Sequence, residues 1–388
     1  MGPLLVALGI DNFGSGLFLP LTLVYATRVV GLPLAVAGVT VTAGTLVGLL
    51  VPPVAGRLVD RVGPRPVVVA SQVLQALGAL VFVGAGGVVT VAVAVCFLAA
   101  GQQLFYSSVF ALISDVVGER EKDHPFAVVG MVRGACFGVG GLCAAWLLTV
   151  GDLRVAVLMD AASFVVCAIV LVALVRVSHV RVTATGGGSR VSRRFLLLIL
   201  VTGLVALGVD FFLVGMPVCV LDLGSPTWLP GVLLALHTAV TSACSTLAVR
   251  ATGRLSRTTT LAFAGWLLVL WCGLCLVTPA LPPEWRPAWL LGSALVLAAG
   301  GTLFGARVNA LAVALAPAAT RGRHLAAFQY AFTVPGVLAP AVVALFTLGA
   351  WAPWVVVALC AGCGAVAFRA FGARLPADAV GPASVPVR

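Results

Sequence analysis

The chain has 388 residues, 61% of them apolar and only 9% charged, and a net charge of +11. Soluble domains carry about 45–50% apolar and roughly 25% charged residues, so this balance cannot cover a water-facing surface. Its mean hydropathy of +1.17 agrees, and a string of soluble domains is excluded in favour of an all-α integral membrane protein. The basic excess does not read as nucleic-acid binding: 22 arginines and the single Lys122 fall mostly in short loops, with no aromatic interleaving and no basic helix face. The arginine bias, with abundant Ala, Gly, Val and Pro, suggests a GC-rich bacterial genome.

Taken in chain order, apolar runs and helix breakers predict twelve spans, at 3–26, 34–55, 66–84, 88–117, 126–150, 155–175, 195–221, 228–249, 260–281, 288–314, 325–348 and 353–371. The first lacks a basic leader and is too long for a signal segment, so it reads as a retained span. An even number of spans puts both termini on one side. That side holds 18 basic residues, the opposite side three (Arg28, Arg154 and Arg286), and two, Arg133 and Arg307, fall inside spans. The positive-inside rule then predicts cytoplasmic termini and basic loops.

The chain also repeats itself. Residues 7–13 read ALGIDNF and residues 206–212 read ALGVDFF; LAAGQQLF at position 98 is matched by LAAGGTLF at position 297, both at an offset of 199. Two matches at one offset near half the length imply two six-span halves of like orientation, related by an axis along the membrane normal. The predicted domains are 1–177 and 195–371, joined by a Gly/Ser/Arg-rich cytoplasmic linker at 178–194 and followed by a cytoplasmic tail at 372–388.

Between the second and third spans the chain reads Gly56-Arg-Leu-Val-Asp60-Arg61-Val-Gly63-Pro-Arg65. This resembles the G-x-L-x-D-R-x-G-x-[RK] loop signature of the major facilitator superfamily, in the loop and on the side where that family carries it. The resemblance implies two six-helix bundles alternating around a central cavity, with a gating role for Gly56, Asp60, Arg61, Gly63 and Arg65. Physically, the two glycines allow tight helix ends, and Asp60 among arginines can make a contact that one conformation holds and another breaks; loop solubility is the competing reading. The fifth span carries Gly130, Gly134, Gly138, Gly140 and Gly141. Glycines four apart make a smooth packing face. The pattern is similar to the glycine-rich fifth helix of drug/proton antiporters, although Val139 stands where those proteins have proline.

Ionisable groups inside spans are costly, by at least about 2.5–3.5 kcal/mol on insertion scales, and so are functional candidates. They are Asp11, Arg133, Asp160, Asp210 and Arg307, with Gln102, Gln103, Tyr106, His237 and Asn309 as polar company. Asp11 and Asp210 are repeat equivalents on helices that line the cavity in the resembled fold. They are the expected carriers of a coupling proton and contacts for substrate, with buried structural hydrogen bonding as the alternative. Arg133 and Arg307 each require an anion, from the protein or from substrate. Gln102, Gln103 and Tyr106 share a face of the fourth helix and can bind substrate or a neighbouring helix. Asp160 reads as structural, because the sixth helix is peripheral in the resembled fold.

The ten cysteines include Cys272-x-x-Cys275 and Cys360-x-x-Cys363, both mid-span without acidic or histidine partners nearby in sequence, which favours apolar packing over metal or redox chemistry. No metal, no cofactor and no enzymatic activity is expected, since no phosphate-binding loop, G-x-S-x-G or H-E-x-x-H occurs. Uphill transport would have to run on an ion gradient. The expectation is a proton-coupled exporter of a small amphiphilic compound, monomeric, in a bacterial inner membrane, with uptake by symport as the alternative. A sensor or a membrane-embedded enzyme is the reading from another class.

Overall fold

The computed structural model describes residues 2–117, 123–150, 152–175, 191–252, 254–316, 324 and 327–373. Among the described residues all regular structure is helical. In hydrocarbon every backbone N–H and C=O needs an internal partner, and an unbroken helix supplies one within the segment. We number the helices by span. α1 runs Gly2–Phe18, turns once as a tighter helix at Leu19–Leu21, where Pro20 sits, and continues as Thr22–Arg28. α2 comprises Leu34–Leu46 and Val51–Val62 around a similar turn at Val47–Leu50, with Pro52 at the restart. α3 is Pro64–Val83, α4 Val88–Val117, α5 Asp123–Val150 and α6 Leu153–Leu174. The second set is α7 Arg193–Asp222, α8 Leu229–Ala251, α9 Arg257–Val277, α10 Arg286–Leu315, α11 Tyr330–Ala344 and α12 Ala352–Gly372.

Among the described residues eleven helices are long and apolar enough to cross a membrane; the apolar part of α8, Leu229–Cys244, is shorter. Large side chains such as Val39, Leu200 and Leu359 stand more than half exposed on outer faces, as expected where lipid is the solvent. Of the linker expected at 178–194, residues 178–190 lie outside the described residues and Arg193 and Arg194 already belong to α7; of the tail expected at 372–388, residues 374–388 lie outside them.

The chain divides into two compact units. The first contains Met1–Ala184 with Leu213–Ala235, the second Thr185–Phe212 with Leu236–Arg388. Within the first, α3 lies along α4 and α6, α1 along α5 and α6, and α2 along α4. Within the second, α9 lies along α10 and α12. The neighbours of α3 thus recur six helices later as those of α9, the pattern the sequence repeat predicts. The first unit packs Leu4 and Leu8 of α1 against Val109 and Leu112 of α4 and Leu171 of α6. The second is built on an aromatic knot in which Trp354 meets Phe211 and Trp271 edge-to-face, at centroid distances of 5.2 and 5.5 Å.

The signature between the second and third spans is not a loop. Residues 56–62, expected beyond the end of the span, continue α2 as helix, and the connection shrinks to Gly63. Gly63 has φ +87°, a left-handed conformation open to glycine and strained for other residues. Pro64 then starts α3 with the ring geometry that a first helical turn accepts.

Candidate functional site

In the first unit the polar side chains of three helices converge. Asp11 of α1 accepts a hydrogen bond from Gln72 Nε2 of α3 at 2.9 Å, and its second oxygen accepts from Asn12 Nδ2 at 3.2 Å. Asn12 also donates to the Leu8 carbonyl, so it is bonded on both counts. Asp160 of α6 stands close enough to Asp11 for the two charges to repel. Ser163, one turn further along α6, donates to the Asp160 carbonyl at 2.7 Å. The helices meet this closely because Gly14, on the Asp11 face of α1, has no side chain: a Cβ there would overlap Ser163 Oγ and stand 2.8 Å from Asp160 Oδ1. Asp160, expected to be structural, thus lies buried in the neighbourhood of Asp11, at the Gly14 face of α1.

Asp210 of α7 is differently placed. The residue is half-buried; its carboxylate has no hydrogen-bond partner among the described residues and lies beside Gly336 of α11, where a Cβ would stand 3.9 Å away. The repeat equivalents Asp11 and Asp210 therefore differ in surroundings, one tied into a polar cluster and the other without a hydrogen bond among the described residues.

Arg133 of α5, expected to need an anion from the protein or from substrate, has no ion pair among the described residues. Its guanidinium lies over the rings of Phe105 and Tyr106, at 5.6 and 5.4 Å from the centroids, a cation–π arrangement, and it remains within electrostatic reach of Asp11. Tyr106 is exposed and Gln102 is half-buried on the same helix; Gln103 is also half-buried, with its Cγ against Gly48 of α2. In the second unit Arg307 of α10 is buried and donates from Nη2 to Thr252 Oγ1 at 2.9 Å, while Asn309 is exposed.

On α5 close packing is seen at Gly140 and at Gly141, the latter among the glycines expected to pack. Gly140 and Gly16 of α1 face each other's chains: a Cβ on Gly16 would strike the Phe137 carbonyl, and one on Gly140 the Phe13 carbonyl. Gly141 packs on Leu234, and Gly231 fits against the Gly141 carbonyl and Ala145. Gly130 faces open space.

Of the signature residues, Arg65 has the clearest bonds. It donates from Nε to the Leu171 carbonyl at 3.0 Å and from Nη2 to the Val172 carbonyl at 2.5 Å. These are C-terminal carbonyls of α6, which lack helical partners and carry the negative end of the helix dipole. Arg61 is exposed and Gly56 meets nothing; the side chain of Asp60 lies outside the described residues. Arg65→Ala is expected to lower the melting stability of the detergent-solubilised protein by about 1–2 kcal/mol, the net worth of exposed charge-assisted bonds. Arg65→Lys should recover less than half, because one ammonium cannot reach both carbonyls as a guanidinium does. Equal melting of all three proteins would remove Arg65 from the cap.

All ten cysteines are free thiols; Cys275 Sγ lies 3.8 Å from Ser293 Oγ. No group of three His, Cys, Asp or Glu side chains that could hold a metal occurs among the described residues. The sequence reading passed over Gln72 and Thr252. Gln72 was findable as a polar residue in the middle of an apolar run; Thr252 carried no such signal.

The described residues form a multi-pass bundle of apolar helices with acids and arginines inside its spans, the build of a polytopic membrane protein. The chain belongs to the Major Facilitator Superfamily, whose family model matches residues 4–340. No curated protein matches it in sequence. Among solved structures it is similar to a bacterial homologue of the iron transporter ferroportin in an inward-facing state, with TM-score 0.77 and 17% identity over 95% of this chain and 98% of that one. It is likewise similar to a POT family transporter in complex with 5-aminolevulinic acid, with TM-score 0.78 and 11% identity over 96% of both chains. The nucleoside transporter NupG aligns over 96% of this chain and all of its own, with TM-score 0.75 and 13% identity.

Proposed function

We propose that this member of the superfamily is a proton-coupled exporter of small amphiphilic compounds, working by alternating access of its two halves. The observation that carries the reading is Asp11, a carboxylate buried inside a span and held by Gln72. An acid kept in such a place against its desolvation cost is suited to taking a proton on one side and giving it up on the other. Asp210, with room beside it at Gly336, is the second carrier. Gln102, Gln103, Tyr106 and Arg133 in the first unit, and Arg307 and Asn309 in the second, supply polar contacts for substrate; Arg133, stacked on rings without a carboxylate, is suited to an anionic substituent. The glycine-rich α5 favours export over uptake, and the arginine distribution favours cytoplasmic termini in a bacterial inner membrane. A monomer is sufficient for this mechanism.

The test is transport in everted vesicles with a pH-sensitive dye, screened against a compound panel. Compound-driven proton release from the lumen of vesicles containing the protein, absent from vesicles lacking it, is the expected result. Compound-driven proton entry in the opposite sense would establish uptake, and silence across the panel would end the proton-coupled reading.

A further inference from the structure

The hydrogen bonds around Asp11 do not balance. The donors beside the acids are directed elsewhere: Gln72 Nε2 and Asn12 Nδ2 at Asp11, and Ser163 Oγ at the Asp160 carbonyl. Two buried oxygens, Gln72 Oε1 and Asp160 Oδ1, are left with no partner at all. Turning the Gln72 amide over would set its oxygen against the Asp11 carboxylate, so its orientation is decided by chemistry. Gln72, Asp160 and Asp11 are 0%, 3% and 4% exposed. The site is thus a closed cluster of oxygen acceptors that includes two carboxyl groups, packed against the Gly14 face of α1, where a Cβ would overlap Ser163 Oγ and stand 2.8 Å from Asp160 Oδ1. Buried acceptors of this kind need a donor or a cation.

The donor set indicates which cation. All the atoms are oxygen, from carboxylates, an amide and a hydroxyl, which suits hard ions and not zinc, copper or iron. Among the described residues no third acid, histidine or thiol joins them to make a metal cluster. The charges around the site are two carboxylates and Arg133, which lies within electrostatic reach of Asp11. With both carboxylates ionised, one monovalent ion brings that group to neutrality, whereas a divalent ion leaves an excess positive charge. We infer that Asp160 and Asp11, with Gln72 Oε1 and Ser163 Oγ, form a sodium site inside the first unit, at the Gly14 face of α1. This deepens the proposed ion coupling and rests on it, naming sodium as a second ion for the oxygens of Asp11 and making Asp160 its other charged ligand.

The experiment is thermal unfolding of the purified full-length protein in detergent, with choline chloride replaced stepwise by sodium or potassium chloride at constant pH and ionic strength. A ligand bound only by the folded state raises the melting temperature saturably. Sodium should do so where potassium and choline do not, and Asp160→Asn should weaken the apparent sodium affinity by about tenfold or more, as expected on losing one charged ligand. Equal melting of the wild type in all three salts, or an undiminished sodium response in Asp160→Asn, overturns the site. Should that variant not fold, Ser163→Ala, which keeps both acids, decides in the same way. Proton release in vesicles without a sodium response would sink the sodium site alone. A sodium response without compound-driven proton movement would sink the transport reading alone.

Discussion

Asp11→Asn is expected to reduce compound-driven proton release by about ten- to a hundredfold, the span of one to two charge-assisted interactions. The substitution is nearly isosteric, so the packing of α1 on α5 and α6 is preserved while the titratable group is lost. It also sets an amide beside the Gln72 Nε2 donor that now bonds Asp11 Oδ1. Its oxygen can still accept from one side, but no proton can be taken up or released. Gln72→Leu is the companion variant: it keeps the acid, removes the partner, and should change the pH dependence of transport more than its maximal rate. Accumulation and pH dependence unchanged in Asp11→Asn would take this residue out of the mechanism and leave Asp210 as the remaining carrier.

Gly16→Ala or Gly140→Ala should lower melting stability by about 3 kcal/mol, at the upper end of overpacking effects. In both cases the added methyl meets main-chain atoms, Phe137 O for one and Phe13 O for the other. A backbone carbonyl cannot rotate away as a side chain can, so α1 and α5 must separate. The two substitutions open the same contact, and the double variant should therefore cost less than the sum of the singles. Gly130→Ala, on the same helix in open space, is the control, with a change below about 1 kcal/mol. Normal melting of Gly16→Ala would mean that α1 and α5 do not pack through these glycines.

The helical spans, the superfamily signature and the internal repeat were all readable in the chain, because each depends on local composition or spacing. The signature nevertheless read as a loop, and its last helical turns were missed: Gly56, Arg57, Asp60 and Arg61 are too polar for a hydropathy window, yet a helix end projecting from a bilayer has no need to be apolar. The glycine pattern on α5 pointed to close packing but not to its register. That depended on which face α1 presents, and its contact on α5 fell to Gly140.

Charge inside a span identifies Asp11, Asp160, Asp210, Arg133 and Arg307 as costly wherever they go, since an ionised group in hydrocarbon must find a partner. Sequence alone therefore determined which residues had to be explained. Only the tertiary structure decided how they are partnered. Asp11 meets Gln72 and Asp160 from helices 61 and 149 residues away, Arg133 meets rings, and Arg307 meets a threonine hydroxyl. Such pairings depend on helix rotation and close approach, here through the missing side chain of Gly14, and no one-dimensional pattern encodes the angle at which one helix faces another.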